Sequence, residues 1–356
     1  MLTYINGPQT LGNGRGFWIS FLALCVAALA YPFFADPYDV GNFAYFLLWI
    51  FMAMGVCIMW GYTGMLSFAQ TFFFGVGGYG YGVLSIMIGE QFGLTFLSLL
   101  LAIGLAGLSA VVLGYFMIYG RVIGVFFGIM TLSMTLALAF FLGQTAGPEW
   151  AIGDARLNGF NGMLGMPPLS IPWFGGDIVF LDSALYYLVI GLLAVVYIGL
   201  RILLNSPFGH VLVAIRDDQE RTELLGYDVR KYQLIAFVIG SCLAALSGVL
   251  YTAWGQFITP SSVGLPAAAM PIVWVAFSGR SDISATTLGT FVILLAFQTI
   301  TIYSQQWALI LMGALLLATV LFVPQGFVLG LMQIVQRLLA LGTRGAKPAG
   351  SKGGRA

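Results

Sequence analysis

A chain of 356 residues in which 60% of the side chains are hydrophobic and only 8% are Asp, Glu, Lys or Arg cannot cover a soluble globule with polar surface. Its mean hydropathy of +0.97 places it in a bilayer. A net charge of +1 leaves no bulk basic surface, and no nucleic-acid partner is expected.

An apolar run of about 20 residues spans the hydrocarbon core as a helix. Taken in chain order, ten segments qualify: 16–34, 42–60, 65–88, 92–120, 122–144, 177–203, 233–254, 265–279, 285–303 and 306–324. The first could also be read as a leader, because Ala28-Leu29-Ala30 has the form of a cleavage site. The single Arg15 ahead of it favours a span. Cys25, Cys57 and Cys242 each sit alone in apolar sequence, so they indicate neither a disulfide framework nor a metal site. The expected fold is an all-α polytopic membrane protein with about ten transmembrane helices.

Basic residues resist translocation and set orientation. Ten spans threaded from an inside start place Arg15, Arg121, Arg201, Arg216, Arg221, Arg230, Lys231, Arg280, Arg337, Arg344, Lys347, Lys352 and Arg355 on one face, with Arg156 alone on the other. Both termini are therefore expected in the cytoplasm. Asp36, Asp39, Glu90, Glu149, Asp154, Asp177 and Asp182 make the outer side mildly acidic. Residues 1–341 read as one transmembrane domain, and the Gly/Ala/Lys/Arg-rich 342–356 as a disordered basic tail.

Residues 61–82 contain seven glycines, more than an isolated continuous helix tolerates at about 1 kcal/mol each relative to alanine. A broken or closely packed segment is expected there. If broken, it is a candidate lining of a solute path, because irregular backbone survives at membrane depth only where protein buries it or a polar cavity wets it. Tyr62, Thr63, Ser67 and Gln70, with the nearby Phe74, would then form a neutral lining. If merely close-packed, Gly78 and Gly82 are small-residue helix contacts. Tyr251 and Trp274, near span ends, read as interface anchors.

No span carries an ionisable side chain near its middle, which argues against an ion-coupled carrier. No phosphate-binding GxxxxGKS/T occurs, so the chain does not hydrolyse ATP. A membrane enzyme would need a nucleophile, base or metal constellation, and the only histidine, His210, lies in a cytoplasmic loop. No cofactor is expected in this chain.

That loop, 206–232, holds nine of the chain's 27 charged residues. Ser206 reads as an N-cap with Pro207 at the first helical position. Val211, Leu212 and Ile215 make an apolar stripe. Asp217 with Glu220 three residues on reads as a second helix start, Leu224 and Leu225 close that helix, and Gly226 takes the left-handed C′ position. The result is a stiff hook, its apolar side toward the membrane domain and its charged side open to a cytoplasmic partner. A plain solvated turn is the alternative.

Ser206-Pro207-Phe208-Gly209, Ala214-Ile215-Arg216-Asp217, Leu225-Gly226-Tyr227-Asp228, Tyr232 and Ala236-Phe237 resemble the coupling loop of the LivM-type permeases. These are membrane subunits of ABC importers for branched-chain amino acids, with relatives for urea and short-chain amides. The similarity extends over about 50–332. Gly61-Tyr62-Thr63-Gly64, Ser67-Phe68 and Phe73-Phe74-Gly75 match the early signature, Gly159 with Asn161-Gly162 a loop motif, and Val323-Pro324-Gln325-Gly326 the usual ending.

The resemblance implies a permease that works with a second permease, two ATPase subunits that bind ATP and magnesium, and a periplasmic binding protein in the bacterial inner membrane. It also implies that Gly209, Ala214, Arg216, Asp217, Glu220 and Gly226 couple to the ATPase, with Gly209 allowing close approach. Met65, Ala69-Gln70 and Ser278-Gly279-Arg280-Ser281 depart from the family pattern. Gly124-Val125-Phe126-Phe127, Thr131 and Thr135-Leu136-Ala137-Leu138 are similar to the urea and amide branch. The substrate therefore stays open between an amino acid, urea and an amide. A passive channel for a small neutral solute would also lack buried charge.

Overall fold

The computed structural model describes residues 6–12, 14–89, 93–172, 178–323 and 325–331. Glu90, Asp177, Pro324, the basic residues from Arg337 onward and the 342–356 tail lie outside the described residues. Ten apolar helices fall on the ten expected segments: α1 (Arg15–Ala30), α2 (Pro37–Val56), α3 (Gln70–Leu84), α4 (Thr95–Tyr119), α5 (Gly124–Gln144), α6 (Asp182–Asn205), α9 (Val229–Gly255), α10 (Leu265–Ser278), α11 (Ile283–Tyr303) and α12 (Gln305–Phe322). Two short helices, α7 (Pro207–Asp217) and α8 (Gln219–Leu224), fill the charged loop. The chain is an all-α polytopic membrane protein.

Eight of the described helices are long and apolar enough to cross a membrane. The other two, α10 and α12, are shorter. The 14 residues of α10 rise only about 21 Å, less than the hydrocarbon thickness of about 30 Å. Pro271 lies inside this helix and leaves the carbonyl four residues earlier, that of Ala267, without its backbone donor. The Thr71 hydroxyl approaches that carbonyl at 3.3 Å.

At the centre, α9 packs against α3, α4 and α2. Small residues let the backbones meet: a Cβ on Gly248 would sit 2.1 Å from the Phe74 carbonyl oxygen. On the periphery, α1 buries none of its residues, and Ile19, Leu22 and Val26 are exposed. In water this would be a liability, whereas in lipid it is the expected outer wall.

Among the described residues, the connection from α5 to α6 takes part in three two-stranded antiparallel pairings: β1 (Ala151–Ile152) with β2 (Ala155–Arg156), β4 (Leu169–Ile171) with β5 (Ile178–Phe180), and β3 (Met163–Leu164) with β6 (Phe257–Ile258). The last joins this connection to the turn between α9 and α10, with Met163 opposite Ile258. The Gly159-Asn161-Gly162 motif makes the turn immediately before β3.

Candidate functional site: hook, helix break and chamber

The hook is built from the local signals in its sequence, with one shift of register. Ser206 is extended and Pro207 opens α7, but the Ser206 hydroxyl donates to the Leu203 carbonyl at 2.6 Å instead of capping α7. Because the Asp218 N–H donates to the Ala214 carbonyl at 2.9 Å, α7 runs through Asp217. The cap of α8 is thus Asp218, whose carboxylate accepts from the Arg221 N–H at 2.9 Å, and Glu220 lies exposed in the first turn. This corrects the reading of Asp217 as cap. At the other end Gly226 (φ 91°) closes a Schellman turn: its N–H donates to Glu223 at 2.9 Å and that of Tyr227 to Thr222 at 3.4 Å.

Val211, Leu212 and Ile215 are buried as the apolar stripe requires, and Phe208 stacks on Tyr232 at 5.5 Å. Ala214 is exposed beside a shallow groove lined by Pro207, His210 and Tyr227. The outward face is not only charged: Leu224 and Leu225 stand 89% and 70% exposed at the tip. Gly209 is buried, and a Cβ there would lie 1.9 Å from the Leu204 carbonyl oxygen. Its close approach is to the end of α6 in its own chain, so a bulky substitution would strike the α6–α7 joint first.

Arg216 connects the hook to the membrane domain. Its guanidinium donates to the Gly61 carbonyl at 2.8 Å and pairs with Asp217 at 3.0 Å. Gly61 lies in a wider-wound turn, Cys57–Tyr62, that extends α2 to a genuine break in helix structure at 64–69. A Cβ on Gly61 would sit 1.7 Å from the Arg280 carbonyl oxygen, so only glycine fits between α2 and the turn after α10.

The break is packed against α5, although Gly64 at its start is exposed. The Phe68 N–H donates to the Thr131 hydroxyl at 3.1 Å, and the Thr135 hydroxyl donates to the Phe68 carbonyl at 3.1 Å. Tyr62, Thr63, Ser67, Gln70 and Phe74 are all buried. Tyr62 donates to the Gln9 carbonyl at 3.0 Å, Thr63 to Met59, and Gln70 Nε2 to the Met59 sulfur at 2.8 Å. Ser67 accepts from the Ala69 N–H at 3.1 Å. Phe74 stacks on Trp49 at 5.1 Å. The structure places these five along the break and the first turns of α3 without gathering them around one opening.

The opening lies beside them. A cavity of about 160 Å³ sits between α2, α3, α10 and α11, lined by Tyr45, Phe46, Trp49, Met52, Thr71, Ser262, Ala267, Met270, Trp274, Leu294, Phe297 and Gln298. Trp274, read above as an interface anchor, instead lines this cavity, while Tyr251, read the same way, is half-buried behind the wall against Trp49. Trp274 is 6% exposed with its ring 5.7 Å from Trp49, and Tyr251 is 5.5 Å from Trp49. The sequence signal for this wall was the density of aromatics in α2, but nothing in one dimension pairs α2 with α10.

A further polar cluster holds the segment before α1. Arg201, fully buried, donates to the carbonyls of Leu11 (3.0 Å) and Gly12 (2.9 Å) and to the Tyr197 hydroxyl (3.1 Å). Asn205 accepts from the Gln9 N–H at 3.0 Å and donates to Thr10 at 2.9 Å. Asp282 caps α11 and accepts from the Leu11 N–H at 2.6 Å. Burial pushes the Asp282 carboxyl up, while the backbone donors and Arg201 pull it down. Among the described residues no three His, Cys, Asp or Glu side chains gather into a metal-binding group.

A bundle of apolar helices with a hook on one side and an uncharged cavity inside is a polytopic membrane protein, and its family gives its class, a transport permease component. Residues 40–320 match the family described as branched-chain amino acid transport system / permease component, and the chain belongs to that family. It is 23% identical over 344 residues to the high-affinity branched-chain amino acid transport system permease protein LivM of Escherichia coli strain K12, covering 91% of this chain and 79% of that one. It is 23% identical over 342 residues to LivM of Salmonella typhimurium, with the same coverage. A probable LivM of Methanocaldococcus jannaschii is 27% identical over 156 residues, 40% of this chain and 45% of that one. No solved structure matches.

Proposed function

We propose that this chain is one permease subunit of an ATP-driven importer in a bacterial inner membrane, with both termini in the cytoplasm. It works with a second permease, two ATPase subunits that carry ATP and magnesium, and a periplasmic binding protein that delivers the substrate. The observation that carries the reading is the hook: its second helix capped by Asp218 and closed by Gly226, its tip carrying exposed Leu224 and Leu225, and its Arg216 tied to the turn that extends α2. A passive channel has no use for such a rigid, partly apolar projection, whereas an ATPase subunit needs one to push on.

The cargo on this reading is a small amino acid with an apolar side chain, as the names of the relatives suggest and as an uncharged, largely apolar cavity suits. Urea and short amides are competing cargoes. Uptake into vesicles carrying the assembled subunits, measured with and without ATP, tests the reading. ATP-dependent leucine uptake is expected. Equal uptake in both conditions would establish a passive channel, and urea uptake in preference to leucine would move the chain to the amide branch.

A further inference from the structure

The cavity between α2, α3, α10 and α11 has three properties that a packing defect lacks. First, its polar groups converge from separate elements. Thr71 stands in the first turn of α3, Ser262 in the turn before α10 and Ala267 in the first turn of α10, and neither helix start carries a side-chain cap. Second, one acceptor there is loosely held: the Ala267 carbonyl, deprived of its backbone donor by Pro271, has the Thr71 hydroxyl at 3.3 Å. Third, the indole Nε1–H of Trp274, on the same face of α10 two turns later, is buried with no hydrogen-bond partner among the described residues. A buried donor without a partner carries an uncompensated desolvation cost, so a partner at this place would be favoured.

The rest of the wall is apolar, with Tyr45, Phe46, Trp49, Met52, Met270 and Phe297 prominent. At about 160 Å³ the space resembles the engineered apolar cavity of about 150 Å³ that takes a benzene ring. It therefore suits a branched aliphatic side chain. No Asp, Glu, Lys, Arg or His lines it. A side chain with its own net charge would be buried there unpaired, which is strongly disfavoured, while a zwitterion's two charges partly compensate one another.

We infer that this chamber is a holding site of the passage that takes one zwitterionic amino acid with a branched apolar side chain, the aromatic wall receiving the side chain while Thr71, the Ala267 carbonyl and the Trp274 indole N–H offer hydrogen bonds to its polar end. The inference rests on the importer reading for the direction of transport and not for binding itself. The absence of a charged partner makes the site weak by construction, since charge-assisted hydrogen bonds are roughly twice as strong as neutral ones. Weak holding suits a site that must release its occupant inward.

The test uses the assembled complex in lipid nanodiscs and a photoreactive diazirine analogue of leucine. Labelling is expected on the α2 and α10 segments around Met52 and Met270, with protection by excess leucine and none by lysine or glutamate. Labelling confined to other helices, or labelling that leucine does not reduce, overturns the site whether or not transport depends on ATP. Independently, Ala267→Leu, which fills the chamber, is expected to lower leucine uptake at least tenfold and alanine uptake less than threefold. A parallel fall of both would mean a structural defect and no site. If that variant does not assemble, Trp274→Phe keeps the wall and removes one donor: the KM for leucine is expected to rise about fivefold with its maximal rate little changed. An unchanged KM overturns the assignment of Trp274. ATP-independent uptake by the unmodified complex, with labelling as expected, would sink the importer reading and leave the chamber standing.

Discussion

The hook at 206–228 and the helix break at 64–69, with the turn leading into it, are both short polar interruptions in apolar sequence, yet they use their polar groups in opposite ways. In the hook, Asp218 and Gly226 finish helices from within a few residues, so its geometry is self-contained and its outer face is left free. In the break and the turn leading into it, the polar groups find partners far along the chain: Thr131 and Thr135 for the Phe68 N–H and carbonyl, Arg216 for the Gly61 carbonyl, and the Gln9 carbonyl for the Tyr62 hydroxyl. Water can solvate what the hook leaves over, whereas the bilayer cannot, so the break must be closed by other helices before it can exist. A polar residue in a membrane chain therefore indicates a lined path only if tertiary structure leaves it unoccupied. In this protein most of those in the break are occupied.

The contrast predicts effects that differ in size and kind. The largest should follow from Gly61→Val, because a Cβ there meets the Arg280 carbonyl at 1.7 Å. Shifting two backbones costs several kcal/mol, above about 4, and the expected outcome is loss of monodisperse protein on size-exclusion chromatography. Normal recovery would mean the break is more pliable than its packing indicates. On the hook, Leu224→Asp with Leu225→Asp should leave that recovery intact while weakening association with the ATPase subunits about ten- to a hundredfold, as loss of an apolar hot spot does. Unchanged affinity in a pull-down titration would leave the leucine tip without a docking role.

Arg216→Ala joins the two regions and should separate binding from work. ATPase association is expected to hold, while substrate moved per ATP hydrolysed falls about fivefold with loss of the charge-assisted bond to Gly61. Arg216→Lys should restore part of it, and an unaltered ratio in the alanine variant would make the contact incidental. The smallest effect belongs to the cap. Asp218→Ala should cost about 1 kcal/mol, read as roughly fivefold faster amide exchange across 219–226, and Asp217→Ala should leave that exchange almost unchanged. The reverse ranking would restore Asp217 as the cap.

Much of this molecule is legible in its sequence. Ten apolar segments became ten helices because hydrophobic length is a one-dimensional property and the bilayer sets its threshold. Gly226 was legible for a similar reason: the left-handed turn that ends α8 is a local event, and glycine makes it at no steric cost. The cap was misplaced by one residue because Asp217 and Asp218 are chemically equal, and only the extra turn of α7, with Asp217 held by Arg216, decides between them.

What only the tertiary structure decided is where polar and aromatic groups find partners. Arg201 counted in the sequence as one more cytoplasmic cation, but it is buried against carbonyls 190 and 189 residues away. Trp274 looked like an interface anchor and became a chamber wall because α2 and α10, distant in sequence, pack side by side. Helix length and helix ends are fixed by neighbours within one or two turns and can be read from the chain. The satisfaction of a buried donor or the shape of a cavity depends on which distant segments meet, and that is settled only when the apolar helices pack and exclude both lipid and water.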